Sequence, residues 1–458
     1  MSDKYLIKPA GVQEPHADPQ LMAQGLGTML LSFLGPLLLE LDHSVDKRLI
    51  RTLVQAVEAI LTFRDQIHGL LLSELGSYMD PLGAGGGGMK RLSRLLHSNK
   101  WQAVIIEHFL WKRCDEQIDH WHEQGQEALL LWDGSVLEKP ESLESEGLCA
   151  VQSSKAKRLT KVKPGYFNPP GKPICVPGMH WIGLVLVGQL TTQGPAMVAC
   201  MRGWTSRGPL ASWLRDEELK VLRQAMERWG RKVMHIFDRG YASSRWLGAL
   251  RCFATRFTMR WKHPYHLLDA LGQQKAAWKI ALGKRAWESR SLRDSVRGTR
   301  FTASVLAFPV VHPDHRDWQL WLVVARRSDG KPWDLLTREP VETAEQAWTI
   351  VFAYIRRWQI ELVFKHGKSE LGFQSLRVWD WQGRLKLLGL ATLAYAFLLH
   401  VLCEQYACVR RWLIRYACHR TGAHLRQVKV PLARLRSALS KLWLAYPPAF
   451  SRRGAVRI

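Results

Sequence analysis

The sequence predicts an α/β protein with a helical N-terminal domain, a mixed α/β core interrupted by a β-rich insertion, and a basic helical C-terminal region. Three observations predict it. Helical spacing of apolar residues prevails up to about residue 125. From Ala128 onward the pattern changes to strand-like apolar runs, two of which end in an aspartate followed by a glycine turn. Short alternating runs then fill the stretch between Trp261 and Pro340. With 458 residues, 47% of them hydrophobic, the chain can bury a large core, divided among roughly two to four structural units.

In residues 47–75, Ile50, Leu53, Val54, Val57, Ile60 and Leu61 recur at three- and four-residue steps, which predicts one amphipathic helix. The glycine-rich residues 83–88 are expected to act as a flexible joint between two helical pieces. Residues 25–39 and 387–403 are apolar. The first is broken by Gly and Pro, and the second is short of a span and holds Tyr395 and His400, so both are expected as buried helices and not membrane spans. Residues 1–20 are polar with scattered charges, unlike a secretory signal.

The run Ala128, Leu129, Leu130, Leu131, Trp132 is continuously apolar and leads into Asp133-Gly134-Ser135, so a buried strand is expected to carry Asp133 at its C-terminal end. Strands over 180–187 and 196–201 and a helix over 210–229 follow. Residues 232–237 then run into Asp238-Arg239-Gly240-Tyr241, again strand, acid and tight turn. A helix over 244–254 and a strand over 256–260 complete the series. Three meandering strands, a helix and an Asp-ended strand is the order of a ribonuclease-H-like core. After the insertion, with strands expected at 300–308 and 318–325, a helix is predicted from Thr343, where Thr343 and Gln346 form a capping box, to near Gly372.

Within that helix Tyr354, Arg357, Glu361, Lys365 and Lys368 fall inside an arc of about 80° at 100° per residue. Val351, Phe352, Ile355, Leu362 and Val363 take the other side. One carboxylate flanked by a phenol and three cations suits a metal ion next to a phosphate. The pair Glu361 and Lys365, taken alone, also reads as an ordinary i,i+4 surface pair. Composition agrees with a polyanionic partner: 65 Lys and Arg against 40 Asp and Glu give +25 and a pI near 10.0. The basic residues are concentrated. Residues 374–458 hold 15 Lys or Arg and two acids, and residues 153–173 carry six cations and no acid in a Pro- and Gly-rich loop.

The spacing Tyr-x2-Arg-x3-Glu-x6-Lys at Tyr354, Arg357, Glu361 and Lys368 resembles the signature of insertion-sequence-four family transposases, Asp-Asp-Glu enzymes with a Tyr-Arg-Glu-Lys motif. The resemblance implies a catalytic triad of Asp133, Asp238 and Glu361. Asp133 would bridge two Mg²⁺ or Mn²⁺ ions, and Asp238 and Glu361 would each complete one site. It implies DNA contacts from Tyr354, Arg357, Lys365 and Lys368. Some relatives hold an unstacked base on an aromatic residue of the insertion, a role that falls to Trp333, with Trp358 and Trp321 as rivals.

The implied layout is a DNA-end-binding domain at 1–125, a catalytic core at 126–261 and 341–405, an insertion at 262–340 and a basic region at 406–458. The implied activity is cutting of element ends and joining of their 3′-hydroxyls to target DNA. Its partners would be double-stranded DNA, as terminal inverted repeats and target, and a second subunit in a homodimeric synaptic complex. The alternative is a non-catalytic DNA-binding regulator, a decayed copy. Eight cysteines without any Cys-x2-Cys pair are expected as reduced thiols of a cytoplasmic, nucleoid-associated bacterial protein. His120 and His122 lack a third ligand at metal spacing. Most of the 21 tryptophans are expected as core or interface anchors.

Overall fold

A computed structural model describes residues 18–63, 69–80, 86–139, 144–153, 174–189, 196–293, 300–417 and 432–448. The N-terminal helices are α1 (Pro19–Asp42), α2 (Lys47–Phe63), α3 (Leu72–Tyr78), α4 (Gly86–His97) and α5 (Val104–Glu123). The helix expected over 47–75 stops at Phe63; further on, Leu70 forms a β-bridge with Leu376 before α3 begins. Gly86, Gly87 and Gly88, expected in a joint, instead open α4. Gly88 is required there because its backbone lies on that of Gly76, where a Cβ would meet the Gly76 carbonyl oxygen at 1.9 Å. Residues 83–85, residues 154–173, expected as a loop, and Cys418 lie outside the described residues.

The core follows as β1 (Ala128–Glu138), β2 (Cys149–Gln152), β3 (Cys175–Gly188), β4 (Met197–Trp204), α6 (Leu214–Trp229), β5 (Val233–Phe237), α7 (Ser244–Cys252) and β6 (Phe257–Arg260). The short strand β2 has no counterpart in the sequence reading. Then come β7 (His266–Leu268), β8 (Gln274–Ala276), α8 (Ala277–Ala281), β9 (Glu288–Arg293), β10 (Arg300–His312), β11 (His315–Arg327) and β12 (Gly330–Thr337). The chain continues through α9 (Ala344–Ile355), α10 (Trp358–Ser369), α11 (Trp381–Val401), α12 (Ala407–Tyr416) and α13 (Leu432–Ala445).

Among the described residues, twelve strands join one mixed sheet in the order β2-β3-β1-β5-β6-β12-β11-β10-β7-β8, with β4 also on β3 and β9 on β10. The β1–β5 and β5–β6 pairings are parallel and the others antiparallel. The protein is thus a mixed α/β fold built on one large sheet. Strands β7–β12 extend the same sheet, because β12 hydrogen-bonds to β6 from Leu335↔Arg260 to Thr337↔Thr258.

Both faces of the sheet are covered, which is why β1 and β5 read as unbroken apolar runs. Leu129, Leu131, Met234 and Ile236 belong to one core with α9, α10, α11 and the N-terminal helices. Leu130, Trp132, Val233 and Phe237 alternate onto the other face, under α6 and α7. By length and composition α1 and α11 could each cross a membrane, but 83% of the apolar window of α11 and 44% of that of α1 is buried inside the fold. Helix α1 runs beyond its apolar stretch at both ends and continues through Pro36, and α11 starts before residue 387 and ends at Val401. Helix α13 packs on α1, α2 and α11, so the C-terminal region closes over the N-terminal helices.

Helix α10 docks on the sheet through Phe364, whose ring meets Trp181 at 4.8 Å between centroids. That approach depends on Gly183 of β3, where a Cβ would lie 2.5 Å from the Phe364 ring. Gly183→Ala is therefore expected to push α10 outward at a cost of about 1–3 kcal/mol. A thermal melt checks it, and the paired variant Gly183→Ala/Phe364→Leu should recover part of the loss.

Candidate active site

Parallel pairing brings the first two acids together. The last described rung between β1 and β5 is Leu131↔Ile236, so Asp133 and Asp238 each stand two residues beyond the same level. The side-chain period of two turns both toward the face carrying Leu129, Leu131, Met234 and Ile236. Asp133 does not end its strand as expected: β3 is 14 residues long and keeps pairing with β1, holding Asp133 opposite Gly183 and carrying β1 on to Glu138. Only the parallel partner β5 stops, and that opens space beside Asp133. Asp238 follows Phe237 directly and caps a 3₁₀ turn, its Oδ1 accepting the Gly240 N–H at 2.7 Å. Asp133 Oδ1 accepts the N–H of Gly134 at 2.8 Å.

The single helix expected from Thr343 to Gly372 is broken at Arg356 and Arg357. The capping box at Thr343 and Gln346 is present. At the break, the N–H groups of Arg356, Arg357, Gln359 and Ile360 bond three residues back, to Ala353, Tyr354, Arg356 and Arg357. Such tight turns end an α-helix and redirect the chain. Consequently Tyr354 does not share an open face with Glu361: it is 5% exposed, its ring against Trp333 at 5.5 Å, and burial pushes its phenol up. Tyr354 lies inside the fold and not on a surface open to DNA.

Arg357, at the corner, links the two sides of the site. Its guanidinium binds Glu361 and approaches Asp133 Oδ2 at 3.8 Å. Glu361 is 57% exposed. Two turns along α10, Lys368 Nζ reaches Ser135 Oγ at 2.6 Å, on the same face of β1 as Asp133. Lys365 is exposed on α10. Trp333 is half-buried with Arg327 stacked 4.3 Å over its ring; Trp358 and Trp321 are also half-buried.

Asp133 and Asp238 line a cleft of about 280 Å³ shared with Arg215, Glu218, His180 and Tyr241. Burial, and then the neighbouring Asp238, pushes the Asp133 carboxyl up to about 7, against the opposing pull of Arg357 and the Gly134 N–H. Buried Glu218 is likewise raised, mainly by burial, although Arg215 contacts it at 2.7 Å. Arg260, the last residue of β6, follows the rung Phe237↔Met259 and so ends its strand beside Asp238. Sequence reading passed over Arg215, Glu218 and Arg260. The one available signal was that Arg260 closes a strand just as Asp238 does.

Asp133 and Asp238 are hard oxygen donors, approached by the Arg357 guanidinium on the Asp133 side, a pair suited to Mg²⁺ or Mn²⁺. Among the described residues, however, no three His, Cys, Asp or Glu side chains stand together at metal-ligating spacing. Glu361 is separated from Asp133 by the Arg357 guanidinium. For Glu361 to join the two aspartates as a ligand, Arg357 must release it.

Residues 216–397, which include Asp238 and Glu361 but not Asp133, match the Transposase DDE domain family. That is the class of protein this region is similar to. Among solved structures the chain is similar to a piggyBac transposase in a synaptic complex with hairpin DNA, determined by cryo-electron microscopy. The TM-score is 0.40 and the identity 11%, over 95% of this chain and 81% of that one. No curated protein matches the chain.

A raised carboxyl stabilises the fold fully below its unfolded value near 3.8, and that contribution is lost as pH rises through about 7. In the absence of divalent ions, Asp133→Asn should melt above the wild type at about pH 8 by roughly 2–4 kcal/mol, and level with it near pH 4. Differential scanning fluorimetry in EDTA measures this, and equal melting at both pH values would contradict the placement of Asp133.

Proposed function

We propose that this protein is a DNA transposase that cuts the ends of its element and joins the 3′-hydroxyls to target DNA. The observation that carries the reading is the delivery of Asp133 and Asp238 to one level and one face of the sheet, with Glu361 facing them across Arg357, in a chain whose residues 216–397 match a transposase DDE domain. The strand order β4-β3-β1-β5-β6, antiparallel on one side of β1 and parallel on the other, supports a ribonuclease-H-like core. The Tyr-Arg-Glu-Lys spacing supports a place in the insertion-sequence-four family.

Asp133 and Asp238, joined by Glu361, are the residues that would hold two divalent ions. Bound there, Mg²⁺ or Mn²⁺ supplies neutralisation of the phosphodiester charge and a lowered pKa for the attacking water or hydroxyl. The chain's own work is positioning. Lys365 and Lys368 hold phosphates of the end along α10, and Arg357, once displaced from Glu361, turns its planar fork toward the scissile phosphate. Tyr354 and Trp333 act from behind, fixing the corner that carries Arg357. Joining two ends calls for a homodimer in the synaptic complex.

A non-catalytic regulator of transposition is the second reading, favoured by the engagement of Glu361 with Arg357. Cleavage assays on the inverted repeats flanking the gene separate the two. Asp133→Ala, Asp238→Ala and Glu361→Ala should each abolish Mg²⁺-dependent nicking while leaving end binding intact. A wild-type chain that binds ends and never cuts them would leave only the regulator.

Arg357→Lys gives a finer test. It should bind ends nearly normally but cleave on the order of a hundredfold more slowly, because a phosphate misplaced by about 1 Å loses that much rate. Lys365→Ala and Lys368→Ala should instead weaken binding and lower its salt slope by roughly one each.

A further inference from the structure

Helices α6 and α10 cover opposite faces of the sheet, and the cleft at Asp133 and Asp238 has a wall from each side. Lys368 of α10 reaches the cleft residue Ser135 from one side. Leu214 and Arg215, the first residues of α6, line the cleft from the other. Residues 205–213 lead from β4 into this second wall and carry a solvent-facing indole: Trp213 is 77% exposed, with Leu210 and Leu214 also exposed. The backbone that carries the indole is nevertheless fixed. Thr205 bridges Ala211, the Ser212 N–H donates to the Thr205 carbonyl at 2.8 Å, and the Trp213 carbonyl accepts the N–H groups of Asp216 and Glu217 at 3.1 Å. A large ring on a rigid mount has little backbone freedom left to lose on binding, so its exposure points to a partner.

The surroundings suit a polyanion. Residues 197–215 hold Arg202, Arg207 and Arg215 and no acid. Asp216 is the first acid after them, and Glu217 and Glu218, both buried, are engaged by Ser212, Lys220 and Arg215. Arg207 is exposed, forms no ion pair among the described residues and donates to the Leu148 carbonyl at 3.3 Å. Arg215 lies 5.5 Å over the rings of both Tyr241 and Trp246 and gives two of its five donors to Glu218 and to the Gly240 carbonyl.

Joining brings two DNAs to one pair of carboxylates. In-line displacement sets the attacking and leaving oxygens on opposite sides of the phosphorus. With the element end held along α10, the second DNA lies toward α6. We propose that residues 205–215 form the docking surface for the target duplex, with the Trp213 indole wedged between two target base pairs and Arg207 and Arg215 on the phosphates to either side. The assignment rests on the transposase reading above. Apolar wedges enter from the minor groove and kink the duplex at steps that unstack easily, pyrimidine–purine steps above all. Target choice then follows deformability and not a base code.

Cutting and joining can be measured apart with the full-length protein. Intact element ends are scored for nicking, and pre-cut ends bearing a 3′-hydroxyl are scored for joining to a target duplex with or without one central mismatch. Trp213→Ala should join roughly five- to a hundredfold more slowly than wild type. It should nick intact ends at the wild-type rate and melt with the wild type, since the ring is exposed and lies outside the cleft lining. Trp213→Phe should recover part of the joining. Wild type should direct its joins to the mismatch, where the stack is already weakened, and Trp213→Ala should distribute them evenly. Arg207→Ala should lower the salt slope of target joining by about one. Normal joining by Trp213→Ala, or an equal loss of nicking and joining, would overturn the docking surface and leave the transposase reading standing. A wild type that joins no pre-cut end would remove that reading, and the target surface with it.

Discussion

The parallel pairing of β1 with β5 is the constraint on which the rest of the structure depends. It sets Asp133 and Asp238 at one level on neighbouring strands, in a partly desolvated cleft where two like charges repel. The apolar strand residues that lead to both acids, Ala128–Trp132 and Val233–Phe237, are buried. The fold tolerates this conflict at one point and distributes compensation around it. Backbone N–H groups hold one oxygen of each carboxylate, and Arg357 approaches from α10.

The opposite wall is fixed by apolar contact and not by charge. Phe364 seats α10 on Trp181 over the gap left by Gly183, and Phe373 packs against Gly367 of the same helix. Glu361 and Lys368 take their positions from that packing. Behind them, Arg327 over the Trp333 ring and Trp333 edge-on to Tyr354 brace the corner between α9 and α10. Strands β7–β12 therefore support the site mechanically through β6, beyond whatever they contact themselves.

Much of the core was legible in the sequence for simple reasons. The apolar runs before Asp133 and Asp238 have no polar interruptions, and a strand buried on both faces needs none. The helix start at Thr343 is written in a local motif whose partners are three residues apart. Elsewhere local pattern misled. Residues 47–75 keep helical periodicity, yet α2 ends at Phe63 and Leu70 pairs with Leu376, some three hundred positions away. Gly86–Gly88 look like a joint, and only contact with Gly76 makes them the start of a helix. The charged stripe of one straight helix carries no sign of the turn at Arg356 and Arg357, which puts Tyr354 inside the fold.

The sequence by itself determined the strands that lead to Asp133 and Asp238, the α/β class and the basic character, because each is encoded in composition or within a few neighbouring residues. Tertiary structure alone decided that β5 ends where β1 continues, that Arg260 and Glu218 stand beside the acids, that β7–β12 extend the sheet, and that Arg357 lies between Glu361 and Asp133. Those facts depend on which strand pairs with which and on how closely a helix can approach a sheet, and such long-range packing leaves no periodic trace in the chain.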